Sequence, residues 1–98
     1  MSTISRTVIV SGDKTFGASD AGTVQCVVSA ATLTIPASAS DNFIVNDHID
    51  IFNETASIIE VTAAGGVTFK KRSDAEILDK QYSHVRVQKT NDDEWILW

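Results

Sequence analysis

The sequence predicts an all-β fold, a compact antiparallel β-sandwich or barrel of about eight short strands that ends in a C-terminal hairpin. Three observations carry this reading. Turn signals built from Gly, Asn, Asp and Ser recur about every 8–12 residues. Between them, apolar residues alternate with polar ones at a period of two, which sets one face of a strand against a core. No stretch holds its apolar residues at helical spacing.

The clearest element is the last. Val85 and Val87 alternate with His84, Arg86 and Gln88, Asn91-Asp92-Asp93 supplies turn chemistry, and Glu94-Trp95-Ile96-Leu97-Trp98 returns as a strand. Both tryptophans lie in this hairpin, three positions apart, so a regular strand sends them to opposite faces. One of them is then the exposed platform or subunit contact.

From the N-terminus, residues 1–6 are small and polar in the main and read as a loose arm. Thr7–Val10 is a short β-branched strand closed by Ser11-Gly12-Asp13. Lys14 to Gly22 is a mixed segment anchored by Phe16, and Ser19-Asp20-Ala21-Gly22 turns into a buried strand over Thr23–Val28. Thr32-Leu33-Thr34-Ile35 alternates and stops at Pro36, which has no N–H for a ladder. Ala37–Asn42 is loop, and Phe43-Ile44-Val45 covers one end of the core.

His48–Asn53 alternates with Ile49 and Ile51 inward, and Ser57–Thr62 is its partner strand. Ala63-Ala64-Gly65-Gly66 is the tightest turn, from which Val67–Lys70 is expected to return antiparallel. Ser73-x-x-Glu76 fits a capping box, with one helical turn and an extended loop equally compatible. Val28–Ile35 and Val61–Phe69 echo each other as strand, small-residue turn, strand. Two hairpins of one sandwich account for that, and a solenoid is rejected for want of a third copy.

At 98 residues the chain is a single domain, residues 1–98. A mean hydropathy of +0.01 is an ordinary globular value. The net charge of −5 opposes binding to phosphate backbones, and the one basic cluster, Lys70-Lys71-Arg72, runs straight into Asp74 and Glu76. No nucleic-acid partner is expected. The lone Cys26 excludes an intrachain disulfide and a thiolate cluster, and its apolar neighbours suggest a buried, inert thiol. No apolar run has the length of a signal core or membrane span, so the expectation is a protein made in the cytoplasm, without a membrane partner.

Candidate chemistry is sparse. His48 and Asp50 share a strand face and could serve as metal ligands or an acid–base pair, but no HxH or HExxH supports them and His84 is distant in sequence. They read as a solvated face. Asp41, Asp47, Asp50, Asp92 and Asp93 lack EF-hand spacing and are explained as turn formers or surface groups. No serine sits in a GxSxG elbow, and Gly65-Gly66 lacks the lysine of a phosphate loop. Neither catalytic residues, nor a cofactor, nor a metal site is expected. The aromatics fill the core by default, with sugar stacking as the competing use.

The ordered set Ala18-Ser19-Asp20-Ala21-Gly22, Thr32-Leu33-Thr34-Ile35-Pro36, Ile49-Asp50-Ile51-Phe52-Asn53, Ile59-Glu60-Val61-Thr62, Tyr82-Ser83-His84-Val85 and Trp95-Ile96-Leu97 resembles a small β module recurrent in tailed-bacteriophage virion proteins. The resemblance implies a non-enzymatic structural part of the virion, commonly homotrimeric, with the major capsid or tail protein as partner. A capsid decoration (cement) or head accessory subunit suits a chain that is nearly all module. The alternative is a tail or fibre module that binds a receptor or carbohydrate through an exposed tryptophan and loops such as Asn91-Asp92-Asp93. Interface candidates are Trp95, Trp98, Tyr82 and Ile4, the last in an arm that binds the particle or swaps with a neighbour.

Overall fold

Alternation of side chains is the property this chain uses most, and it uses it to deal strands to two sheets in turn. The computed structural model describes residues 6–37 and 43–98. The strands are β1 (Arg6–Val10), β2 (Lys14–Thr15), β3 (Thr23–Val27), β4 (Ala31–Ile35), β5 (His48–Asn53), β6 (Ile59–Ala63), β7 (Thr68–Lys71), β8 (Ile77–Leu78), β9 (His84–Asn91) and β10 (Glu94–Leu97). A six-stranded sheet has the order β1-β3-β5-β9-β10-β7, and a four-stranded sheet the order β2-β4-β6-β8. The fold is all-β, in two packed sheets.

The pairing departs from the antiparallel expectation. Five of the eight pairings are parallel: β1–β3, β3–β5, β2–β4, β4–β6 and β7–β10. The antiparallel ones are β5–β9, β6–β8 and β9–β10. A parallel neighbour demands a crossover connection; for β1–β3, β3–β5, β2–β4 and β4–β6 the crossover is a single strand of the opposite sheet, and for β7–β10 it is β8 followed by β9. Residues 11–22, for example, leave β1, run through β2 and return to β3. The pairs β1–β2, β3–β4 and β5–β6 are thus three coils stacked in parallel, and β8 and β9 close the third coil from its open side.

This overturns the rejection of a solenoid and both predicted hairpins. Val28-Ser29-Ala30 is a corner from β3 across to β4, and Ala64-Gly65-Gly66-Val67 a corner from β6 back to β7. Period-two patterning is identical for parallel and antiparallel strands, so the pattern could not tell a corner from a hairpin. The corner at Gly66 is closed by a 3.0 Å bond from Val67 N–H to the Ala64 carbonyl. Gly66 has φ +89° there, a conformation without steric cost only for glycine. The C-terminal hairpin forms as expected, with Asp92-Asp93 as its turn and a bulge at Glu94/Trp95. Arg6, assigned to the arm, instead opens β1 opposite Thr23. The Ser73–Glu76 segment is two tight turns rather than a helix, bonded Ala75 N–H to Arg72 O and Ile77 N–H to Asp74 O.

Between the sheets the inward residues are the predicted ones. Leu33, Ile35, Ile49, Ile51, Ile59, Val61, Val85 and Val87 are buried around Trp95. Phe43 closes over Trp95 edge-on, with centroids 5.1 Å apart, while Ile44 and Val45 remain exposed.

Two polar anchors explain pieces of the sequence that hydropathy does not. Ala18–Asp20 forms a 3-10 turn, and buried Asp20 accepts bonds from Gly17 N–H (3.0 Å), Lys14 Nζ (3.0 Å) and Gln25 Nε2 (3.2 Å). Gln25 in turn accepts from Lys14 Nζ (2.9 Å) and donates to Thr23 Oγ1 (2.7 Å). A charge buried with this many partners is satisfied, and it pins the first coil to the second. Asn53, also buried, donates to the Ser57 and Leu78 carbonyls at 3.0 and 2.9 Å and accepts from Thr55 N–H at 2.8 Å. The last residue of β5 is thereby tied to the four-stranded sheet.

Candidate functional site

The two outer faces of the molecule differ in chemistry. On the four-stranded sheet, register aligns Thr15, Thr34 and Thr62 in one row and Thr32 with Glu60 in the next. That face is polar. On the six-stranded sheet, Ile9, Cys26 and Phe52 form one cross-strand row, and Thr7, Val24 and Asp50 the adjacent one. Ile9 is 65% exposed, and Tyr82, 66% exposed, stacks on Phe52 with centroids 6.0 Å apart. Contiguous apolar surface of this kind marks a contact site. Cys26 belongs to this face and is half-buried rather than buried as expected. Burial, with Glu54 nearby, pushes its thiol pKa up, which keeps it protonated and weakly nucleophilic.

Beside the apolar row stands a charged cluster. Asp50 faces Arg86 across the β5–β9 ladder and takes two bonds from it, Nε at 2.8 Å and Nη2 at 3.0 Å. His84 Nε2 lies 3.3 Å from the same carboxylate. Burial works against the Asp50 charge, but the fork and charge of Arg86, with His84 behind it, outweigh this and hold the carboxyl below its ordinary range. His48, weighed with Asp50 and read as part of a solvated face, sits opposite Gln88. The partners come from β9, 34 and 36 residues along the chain. Alternation on either side of Val85 and Val87 does place His84 and Arg86 outward, so opposite charges on two solvent faces were the available signal. Among the described residues no group of three His, Cys, Asp or Glu side chains could hold a metal ion.

A cleft of about 420 Å³ opens between β8 and the end of the β9–β10 pair. Leu78, Ile77 and Val85 line its apolar part, Arg72, Ser73, Asp74, Ser83 and His84 its polar part, and Trp98 a wall. Both backbone groups of Trp98 pair with Arg86, at 2.7 and 3.0 Å, so the indole hangs from a fixed strand end. Two non-glycine residues with positive φ, Asp74 (62°) and Tyr82 (70°), shape the turns beside it. Such conformations cost energy and persist where the surrounding structure holds them.

The interface candidates separate accordingly. Trp98 is 49% exposed, and Tyr82 is exposed. Trp95 is wholly buried and unavailable to a partner, because the core takes the larger area of its indole. Ile4, the rest of the arm through residue 5, and Asp41 lie outside the described residues. Trp98 and the Asn91-Asp92-Asp93 turn stand at opposite ends of β10. Compared with known proteins, the chain matches no family model, no curated protein and no solved structure.

Proposed function

We propose that the chain is a non-enzymatic structural subunit of a bacteriophage virion, a capsid decoration (cement) or head accessory protein that seats on the particle through the outer face of its six-stranded sheet. The observation that carries the reading is the cross-strand row Ile9–Cys26–Phe52 with Tyr82 stacked on Phe52, in which Ile9 and Tyr82 are exposed and Cys26 and Phe52 half-buried. The molecule measures 33 × 33 × 21 Å. Its broad faces accommodate the roughly 800 Å² per partner that a stable contact requires. In this reading the subunit is a homotrimer on the virion, and its contacts are with copies of itself and with the major capsid or tail protein. Cementing requires area and complementarity and no reactive group.

The test is saturable binding to particles that lack the protein, with the free subunit sized by sedimentation equilibrium. Ile9→Asp, which places a charge at the exposed edge of the row, is expected to abolish binding and leave the fold intact. A protein that stays monomeric at high concentration and binds no particle ends the proposal.

A further inference from the structure

We propose that the chain cross-links itself, through an amide bond that forms between the side chains of Lys14 and Gln25 with release of ammonia. Register places both residues between the sheets. Lys14 pairs with buried Leu33, and Gln25 stands between Val8 and buried Ile51, so each points inward from its own sheet. Gln25 is wholly buried and Asp20 nearly so. The Lys14 arm passes the Phe16 ring, 5.6 Å from Nζ to its centroid, and ends 2.9 Å from Gln25 Oε1. The amide carbon lies one C=O bond, about 1.2 Å, behind that oxygen, so turning the last lysine bonds brings amine and carbon together. Asp20 Oδ1 bridges the two reactants, 3.0 Å from Lys14 Nζ and 3.2 Å from Gln25 Nε2. Gly17 N–H holds the other carboxylate oxygen at 3.0 Å, and the 2.7 Å bond from Nε2 to Thr23 Oγ1 fixes which end of the amide faces the lysine.

Aminolysis of an amide requires an amine, an acyl group and a base that reaches both the entering and the leaving nitrogen. All three meet here. Of the two acyl groups at the amine, the neutral amide is the electrophile and the carboxylate the proton carrier. Asp20 takes one proton from the Lys14 ammonium and passes it to Nε2, and the attacking nitrogen gives up a second by the same route. The Nζ–Cδ bond forms, the Cδ–Nε2 bond breaks, and the amide nitrogen leaves as ammonium. No oxidant, reductant or third reactant takes part. Lys14 also borders a surface cleft shared with Thr15 and Thr34, a way out for the ammonium. The bond ties β2 to β3 across the first coil, whose strands β1 and β2 are both sheet edges. It does not rest on the reading of the chain as a virion subunit.

The experiment is mass spectrometry of the intact, denatured full chain, fresh and after several days of incubation. A species about 17 Da lighter than the sequence mass is expected, any removal of Met1 apart, with a branched proteolytic peptide that joins residues 14 and 25. Lys14→Arg keeps the charge and offers a far weaker nucleophile, so it should fold and show no such species. Its thermal midpoint should fall below that of the cross-linked chain by on the order of 10 °C. Asp20→Asn, without a proton carrier, should stay uncross-linked. A natural chain that keeps its full mass through the incubation overturns the proposal, as does a lighter species that persists in Lys14→Arg. A bond from Lys14 to Asp20, lighter by water, or cross-linking undiminished in Asp20→Asn, overturns the roles assigned to Gln25 and Asp20.

Discussion

At the scale of residues, the two tryptophans show how position divides one chemistry into two tasks. Trp95 is enclosed by both sheets and by Phe43. Trp95→Ala is expected to cost about 3–5 kcal/mol, measured by denaturant unfolding, since it removes the largest core side chain and leaves a cavity. Trp98→Ala should cost a fraction of that, because half of its surface is already in water. Asp50 gives a pH-dependent prediction. Its carboxyl is held below the ordinary value in the folded chain, so its stabilisation is present above the unfolded carboxyl pKa and is lost as pH falls through the folded one. The Arg86 side chain is 39% exposed, and solvent screening limits the gain to about 0.5–1 kcal/mol. Asp50→Asn should therefore be slightly less stable than the natural chain at pH 7. The gap should close once acid has protonated Asp50 in both folded and unfolded states.

At the scale of elements, most strands were readable and their neighbours were not. Ile49, Ile51, Val85 and Val87 announced themselves by alternation, and the C-terminal hairpin by its Asn-Asp-Asp turn. Two-residue strands such as β2 and β8 carry too little pattern to be seen. Parallel stacking was hidden for a firmer reason: a strand's inward residues are the same whichever direction its neighbour runs. The cleft was hidden too, because its walls come from residues 72–75, 77–78, 83–85 and 98, which no local motif joins. The motif Ala18-Ser19-Asp20-Ala21-Gly22 was noticed as a likeness, and its physical content is the Asp20 network. Asp20→Ala should cost about 2–3 kcal/mol by thermal or denaturant unfolding, since it removes the carboxylate that pairs with the Lys14 ammonium and strands the Gly17 N–H. Gly66→Ala should cost about 1 kcal/mol through its positive φ alone, as the space around it is open.

At the scale of the molecule, the closure of the third coil has a consequence for how the chain comes into being. Ile51 and Val61, at the centre of that coil, obtain their remaining neighbours from β8 and β9, whose partners in β6 and β5 lie well upstream in the chain. Loop closure of that length is paid before any ladder forms. A polypeptide emerging from the ribosome thus carries an unfinished rung until β8 and β9 have been made. The strands that complete the fold are translated after those they cover, so a premature stop before β8 leaves sticky backbone in search of a foreign strand.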